Sequence, residues 1–330
     1  MTRAKVKAEG ELAAAVRSGD RRALARAITL VESTKAADRA SAGRLLSSLL
    51  PDTGRAMRIG ISGAPGSGKS TFIEAFGTLL TAQGLRLAVL AVDPSSRRSG
   101  GSILGDKTRM EKLARDPKAF IRPSPAGETL GGVARRTREA MLLAEAAGFD
   151  VVLVETVGVG QSETAVAEMV DLFVLLVAPG GGDDLQGIKR GVMELADLLL
   201  VTKADGDLVK SANRAAADYQ GALHLMRPKY PELPPQVLKV SSIENKGIAE
   251  AWAAMHRLHR ALKRAGHLKR LRQDQLRRWF AGEVQALLAE EIAHDRKVSA
   301  EAARLEALVL SGEILPDAAA RALVRAFRGA

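Results

Sequence analysis

The sequence predicts an α/β fold built on a mainly parallel, doubly wound sheet, with a helical segment on either side of it. Three observations carry that prediction. Six apolar runs, RIGISG, LRLAVLAV, DVVLVET, DLFVLLVA, DLLLVTK and QVLKVS, are separated by stretches of helical spacing. They do not alternate apolar with polar residues, as suits strands covered on both faces of a parallel sheet. The chain has 330 residues, of which 46% are apolar and only 3% aromatic, enough for one large domain with accessory helices and a core of Ala, Leu and Val.

Residues 1–55 have helical spacing in at least two pieces, with Asp20 placed to cap the run 21–31, and Pro51, Asp52 and Gly54 close this extension. Residues 56–255 hold the apolar runs and form the α/β domain. Residues 256–330 read as a helical arm. Within 271–292, Leu276, Trp279, Phe280, Val284, Leu287, Leu288 and Ile292 recur at three- or four-residue steps and make one apolar stripe. Such a stripe either packs on the chain's own core or pairs with a second copy through the helices at 300–311 and 316–327; a homodimer is the expectation.

Composition removes several function classes. There is no Cys, so disulfides and thiolate metal sites are excluded. His256, His259 and His267 sit among basic residues, without zinc-ligand spacing. The formal charge of +11 comes wholly from the flanks: residues 1–55 hold 11 basic against 6 acidic residues, and residues 257–330 hold 15 against 9. No RNA-binding aromatic pattern or helix-turn-helix accompanies it, so nucleic acid is not the expected partner; a solvated face of long helices accounts for the charge, with an acidic protein partner as the other reading. The start MTRAKVKAEGELAAAV lacks an apolar h-region, and the run 172–178 is far below the roughly 20 residues that span a bilayer. A cytoplasmic protein away from membranes is expected.

Four motifs carry chemistry. The run GAPGSGKST, Gly63, Ala64, Pro65, Gly66, Ser67, Gly68, Lys69, Ser70 and Thr71, follows the first apolar run and opens a helical stretch. That is the order of a phosphate-binding loop: backbone N–H groups surround the phosphates, Lys69 reaches the β- and γ-phosphates, and the Ser70 hydroxyl takes a magnesium position. The run TKAD, residues 202–205, ends another strand. There the Asp205 carboxylate can accept from N1–H and the exocyclic amine of guanine, whereas adenine offers an acceptor at N1. Thr202 stands where the commoner motif has Asn, a variant of the signal-recognition branch of GTPases. Lys203 and the run Ser241, Ser242, Ile243 after the last strand would close the base site.

The third motif, ETVGVGQSE, places Glu155 at a strand end to hold magnesium, and Gly158 near the γ-phosphate. Val159 occupies the place of the water-orienting Gln of Ras-like enzymes, so slow hydrolysis is expected. The fourth, VDPSSRRSGGSILGDKTRM, offers Asp93 and Asp106 as further carboxylates for the metal. Finally, PGGGDDLQGIKR, residues 179–190, is a Gly-rich loop in which Asp183 and Lys189 could meet nucleotide or partner; on composition alone a plain surface loop serves equally.

Taken together, GAPGSGKST, VDPSS, GDKTRM, ETVGVGQSE, PGGGDDLQGIKRG and TKAD resemble the MeaB/ArgK group of P-loop GTPases over nearly the full chain. The resemblance implies a SIMIBI-type P-loop NTPase fold with a C-terminal dimerisation arm, Mg2+ as cofactor, and GTP and GDP as substrate and product. It implies a chaperone of adenosylcobalamin-dependent methylmalonyl-CoA mutase, whose hydrolysis the mutase stimulates and which gates cofactor loading. Carried over, Asp93, Asp106 and Glu155 become switch and metal residues, and the loop around Lys189 the switch that informs the mutase. A GTPase serving another metalloenzyme and a P-loop kinase are the other readings.

Overall fold

Five of the six apolar runs are buried almost throughout, and that burial sets the architecture. The computed structural model describes residues 3–92, 110–123, 130–156, 162–180 and 190–329. Among them are seven strands: β1 Met57–Ser62, β2 Leu87–Val92, β3 Ala119–Arg122, β4 Val151–Thr156, β5 Leu172–Val177, β6 Leu198–Val201 and β7 Gln236–Lys239. Every pairing is parallel and the order is β3-β2-β4-β1-β5-β6-β7. Six runs had marked strands in the sequence; β3 was missed. It is a four-residue edge strand, AFIR, closed by Pro123, too short to make a run.

Successive residues of β4 point to opposite faces and feed two separate cores. Val152 and Val154 join the layer made by the N-terminal helices, α1 Arg3–Arg17, α2 Arg21–Glu32 and α3 Ala36–Leu49. Val151 and Leu153 join the other layer with Phe72 and Phe76 of α4, Lys69–Ala82. The helix α2 begins where the sequence places it, the Asp20 carboxylate accepting from Ala23 N at 2.7 Å. Its buried stripe, Ala23, Leu24, Ala27, Ile28 and Val31, packs toward α6, Leu130–Ala146. The short helices α5 Glu111–Arg115, α7 Ser162–Ala167 and α8 Arg190–Leu195 lie between strands, as does α9, Val209–His224.

Next comes α10, Ile248–Arg264, and then α11, His267–His294. Two compact units divide inside α11, between Arg272 and Gln273. At the end of the first unit a polar network ties α11 to the strand starts. The Asp171 carboxylate, fully buried, accepts from Arg272 at 2.8 and 2.7 Å and from Arg58 N at 3.0 Å. Burial alone would raise its pKa, but the Arg272 guanidinium and His259 beside it hold it at about 2. Arg272 also donates to the carbonyls of Gly54 and Ala56, at 2.6 and 2.8 Å.

The second unit contains the rest of α11 with α12, Arg296–Leu310, and α13, Pro316–Arg328, which pack on each other. Of the predicted stripe, Leu276, Phe280, Val284, Leu287 and Leu288 are 39% to 72% exposed. Among the described residues no helix is long and apolar enough to cross a membrane.

Candidate nucleotide-binding site

The C-terminal ends of β4, β1, β5 and β6 lie side by side at one edge of the sheet. This is where open parallel sheets bind ligands. Residues 63–68 connect β1 to α4. Gly63 admits no side chain, since a Cβ there would stand 2.3 Å from the Leu176 carbonyl oxygen of β5 and 2.7 Å from Ser67 Oγ. Gly68, at φ 85, is the N-cap of α4 and supplies no side chain to cap it. The first turn of α4 therefore has no N-cap side chain over its N–H groups, and the positive end of the helix dipole opens into the loop. Lys69 Nζ donates to the carbonyls of Gly63 and Ala64 at 2.6 and 3.2 Å, which places its charge on the loop. The Ser67 hydroxyl is buried and has no hydrogen-bond partner among the described residues. Uncapped N–H groups, a lysine and an orphaned hydroxyl around one loop suit an anionic phosphate.

Ser70 and Thr71 stand in the first turn of α4. Glu155, next to last in β4, is 8% exposed and pairs in register with Ile61 of β1. Behind it the Thr156 hydroxyl donates to Ser62 Oγ at 2.8 Å. The Ser70 hydroxyl and the Glu155 carboxylate are hard oxygen donors of the kind magnesium takes. Asp93, Asp106, Gly158, Asp183 and Lys189 lie outside the described residues. Among those described, no group of three or more His, Cys, Asp or Glu is gathered for a metal.

The base end forms where the loops after β6 and β7 come together. Asp205 Oδ2 accepts a short hydrogen bond from Ser241 Oγ, which itself accepts from Glu244 N at 3.1 Å. The Ala204 N–H reaches the Val240 carbonyl at 3.1 Å, and Ser241 and Lys246 exchange two backbone hydrogen bonds. Lys203, between the two loops, adopts φ 52, a left-handed conformation that non-glycine residues seldom take and that concentrates at functional sites. Ile243 is 79% exposed and Ser242 half-buried. The structure thus brings Asp205 to Ser241, as the order of motifs predicts, and leaves Ile243 as an apolar side chain open to solvent.

A profile of the family described as methylmalonyl Co-A mutase-associated GTPase MeaB matches residues 24–297. The chain belongs to the MeaB family of GTPases. GTPase ArgK of Escherichia coli strain K12 is 53% identical to it over 270 residues, 82% of each chain. The mitochondrial methylmalonic aciduria type A homolog of Mus musculus is 49% identical over 320 residues, covering 94% of this chain and 77% of the relative. Among solved structures, one titled LAO/AO transport system kinase shares 39% identity and a TM-score of 0.77 over 99% of both chains.

Sequence reasoning about this MeaB-family GTPase missed one supporting residue. Thr202 entered only as a replacement for Asn, yet its buried hydroxyl lies 2.7 Å from the Ser67 carbonyl and 3.1 Å from that of Val177. It pins the phosphate loop to the ends of β5 and β6. The signal was available: a hydroxyl can donate to a carbonyl of the loop where an amide would.

Proposed function

We propose that this MeaB-family GTPase is a chaperone of adenosylcobalamin-dependent methylmalonyl-CoA mutase, coupling GTP binding and hydrolysis to gated cofactor loading and to protection of the mutase. The observation that carries this reading is the match of residues 24–297 to a family described as mutase-associated. The mouse relative, named for methylmalonic aciduria, supports it. In this reading Lys69 neutralises the β- and γ-phosphates. Ser70 and Glu155, with Asp93 and Asp106, hold Mg2+, which when bound offsets charge developing on the phosphate oxygens. Lys203, Asp205 and Ser241 hold guanine, and the protein works in the cytoplasm.

Val159 stands in place of a water-orienting Gln, so the isolated protein should turn over well below about 1 per second. Methylmalonyl-CoA mutase should raise the rate, in proportion to its occupancy of the GTPase. Hydrolysis measured across a mutase titration tests this; a flat rate at every concentration rejects the partner. Lys189→Ala and Asp183→Ala should keep nucleotide affinity and lose most of the stimulation. Full stimulation in both would remove their loop as the transmitter.

The arm is assigned to a homodimer. Its α11 stripe leaves Phe280, Leu287 and Leu288 between 47% and 72% exposed, a row of apolar side chains that a second copy would cover. Multi-angle scattering should give twice the chain mass, and Phe280→Asp combined with Leu287→Asp should give the monomer. A wild-type chain that scatters as a monomer at micromolar concentration ends the assignment.

A further inference from the structure

A cavity of about 420 Å³ opens at the end of the sheet opposite the nucleotide loops. Its floor is Leu172 and Val174 of β5, Leu198 of β6 and Met255 of α10, each at most 3% exposed. Leu172 and Leu198 begin their strands, whereas the loops around the phosphates and base leave from Val177 and Val201. At about 3.3 Å per residue, β5 alone sets the two ends roughly 17 Å apart. Leu233 and Pro234, before β7, form the far wall.

The rim is cationic. Arg257, Arg260 and Arg264 line the cavity from α10, and their spacing of three and four residues puts them on one helix face. None of the three side chains has a hydrogen bond or ion pair among the described residues. The two acidic residues of the lining are already engaged. Asp197 pairs with Lys229 at 3.0 Å and accepts from Phe173 N at 2.7 Å, while Glu232 is hydrogen-bonded by His267. Three exposed guanidinium groups therefore lie along one helix face at the mouth of the cavity, an arrangement that suits an anion.

We propose that this cavity is a second ligand site, distinct from the nucleotide site, for a small amphiphilic anion: a carboxylate or phosphate held by the arginines, with a short hydrocarbon body against the half-buried Leu233 and Leu258 of the lining. Its volume lies within the range of small-molecule pockets, about 300 to 1,000 Å³. The guanidinium fork matches both head groups. Inorganic phosphate would leave Leu233 and Leu258 uncovered, and a neutral alkyl chain would leave the arginines unpaired. Both parts of the ligand are required.

The test uses the full chain carrying ¹³C-methyl methionine, with the Met255 methyl resonance as reporter. Octyl phosphate, octanoate, inorganic phosphate and 1-octanol are the probes. Octyl phosphate or octanoate should shift Met255 saturably, and phosphate or octanol alone should bind at least about tenfold more weakly. Arg260→Ala with Arg264→Ala should weaken the amphiphile by about tenfold or more and leave GTP affinity unchanged. Ala261→Trp, which fills the cavity from α10, should abolish the shift while GTP binding shows that the chain is folded. No saturable shift from either amphiphile, equal affinity in the double arginine variant, or octanol binding as tightly as octyl phosphate overturns the proposal.

Discussion

Replacing Lys69 by Ala is expected to abolish GTP hydrolysis, by about 10³-fold or more, with the fold retained. The effect on chemistry is large because the lost group is a full charge at the loop where the transferring phosphoryl oxygens gain theirs. The effect on stability is small. Lys69 opens α4 and its amine donates to the Gly63 and Ala64 carbonyls, in a half-buried setting; losing such contacts costs about 1 kcal/mol, and Ala is the best helix former. Binding of a non-hydrolysable GTP analogue should weaken more than binding of GDP, since only the former offers a γ-phosphate. Single-turnover hydrolysis, calorimetric titration of both nucleotides and a thermal melt measure all three effects. Wild-type turnover in a folded variant would take Lys69 out of the reaction.

Local information in the sequence was enough to place most elements, because each apolar run reports its own burial. The runs over β1, β2, β4, β5 and β6 are buried almost throughout, so each could be read without knowing its neighbours. By contrast β3 depends on β2 for its place, and nothing in AFIR marks it as a strand. The helix α11 starts at His267, ahead of the apolar stripe that the sequence shows within 271–292. Side-chain contacts between distant residues were not legible at all. Thr202 meets Ser67 across 135 positions, and Arg272 meets Asp171 across 101. Neither spacing has a periodicity, and each contact exists only because the strand order brings loop ends together. The phosphate loop was readable for the opposite reason: its glycines, lysine and helix start are consecutive. The three cavity arginines illustrate both cases. Their common helix face follows from sequence spacing, but the apolar floor beneath them comes from strands 60 to 90 residues earlier.

Asp205→Asn is expected to move the preference of the site from guanine to xanthine nucleotides, a swing of about 10⁴-fold in relative affinity. A carboxylate at position 205 would accept from both N1–H and the exocyclic amine of guanine, and charge assistance would make each bond strong. An amide keeps one acceptor and adds a donor. The donor would oppose the guanine amine, leaving two N–H groups facing each other without an acceptor. Xanthine carries a carbonyl oxygen at that ring position, which the amide N–H can meet. The surrounding contacts tolerate the change. Ser241 Oγ, which now donates to Asp205 Oδ2 while accepting from Glu244 N, can donate equally to the amide oxygen, and that bond would hold the amide nitrogen on the other side. The loop pairing between Ala204 and Val240 involves backbone alone and is indifferent to the substitution. Calorimetric titration of the variant with GTP and with xanthosine triphosphate, alongside the same pair for the wild type, measures the swing directly. A variant that still prefers GTP by the wild-type margin would place the base elsewhere, and Asp205 would then be no more than the residue that fastens the loop after β6 to Ser241.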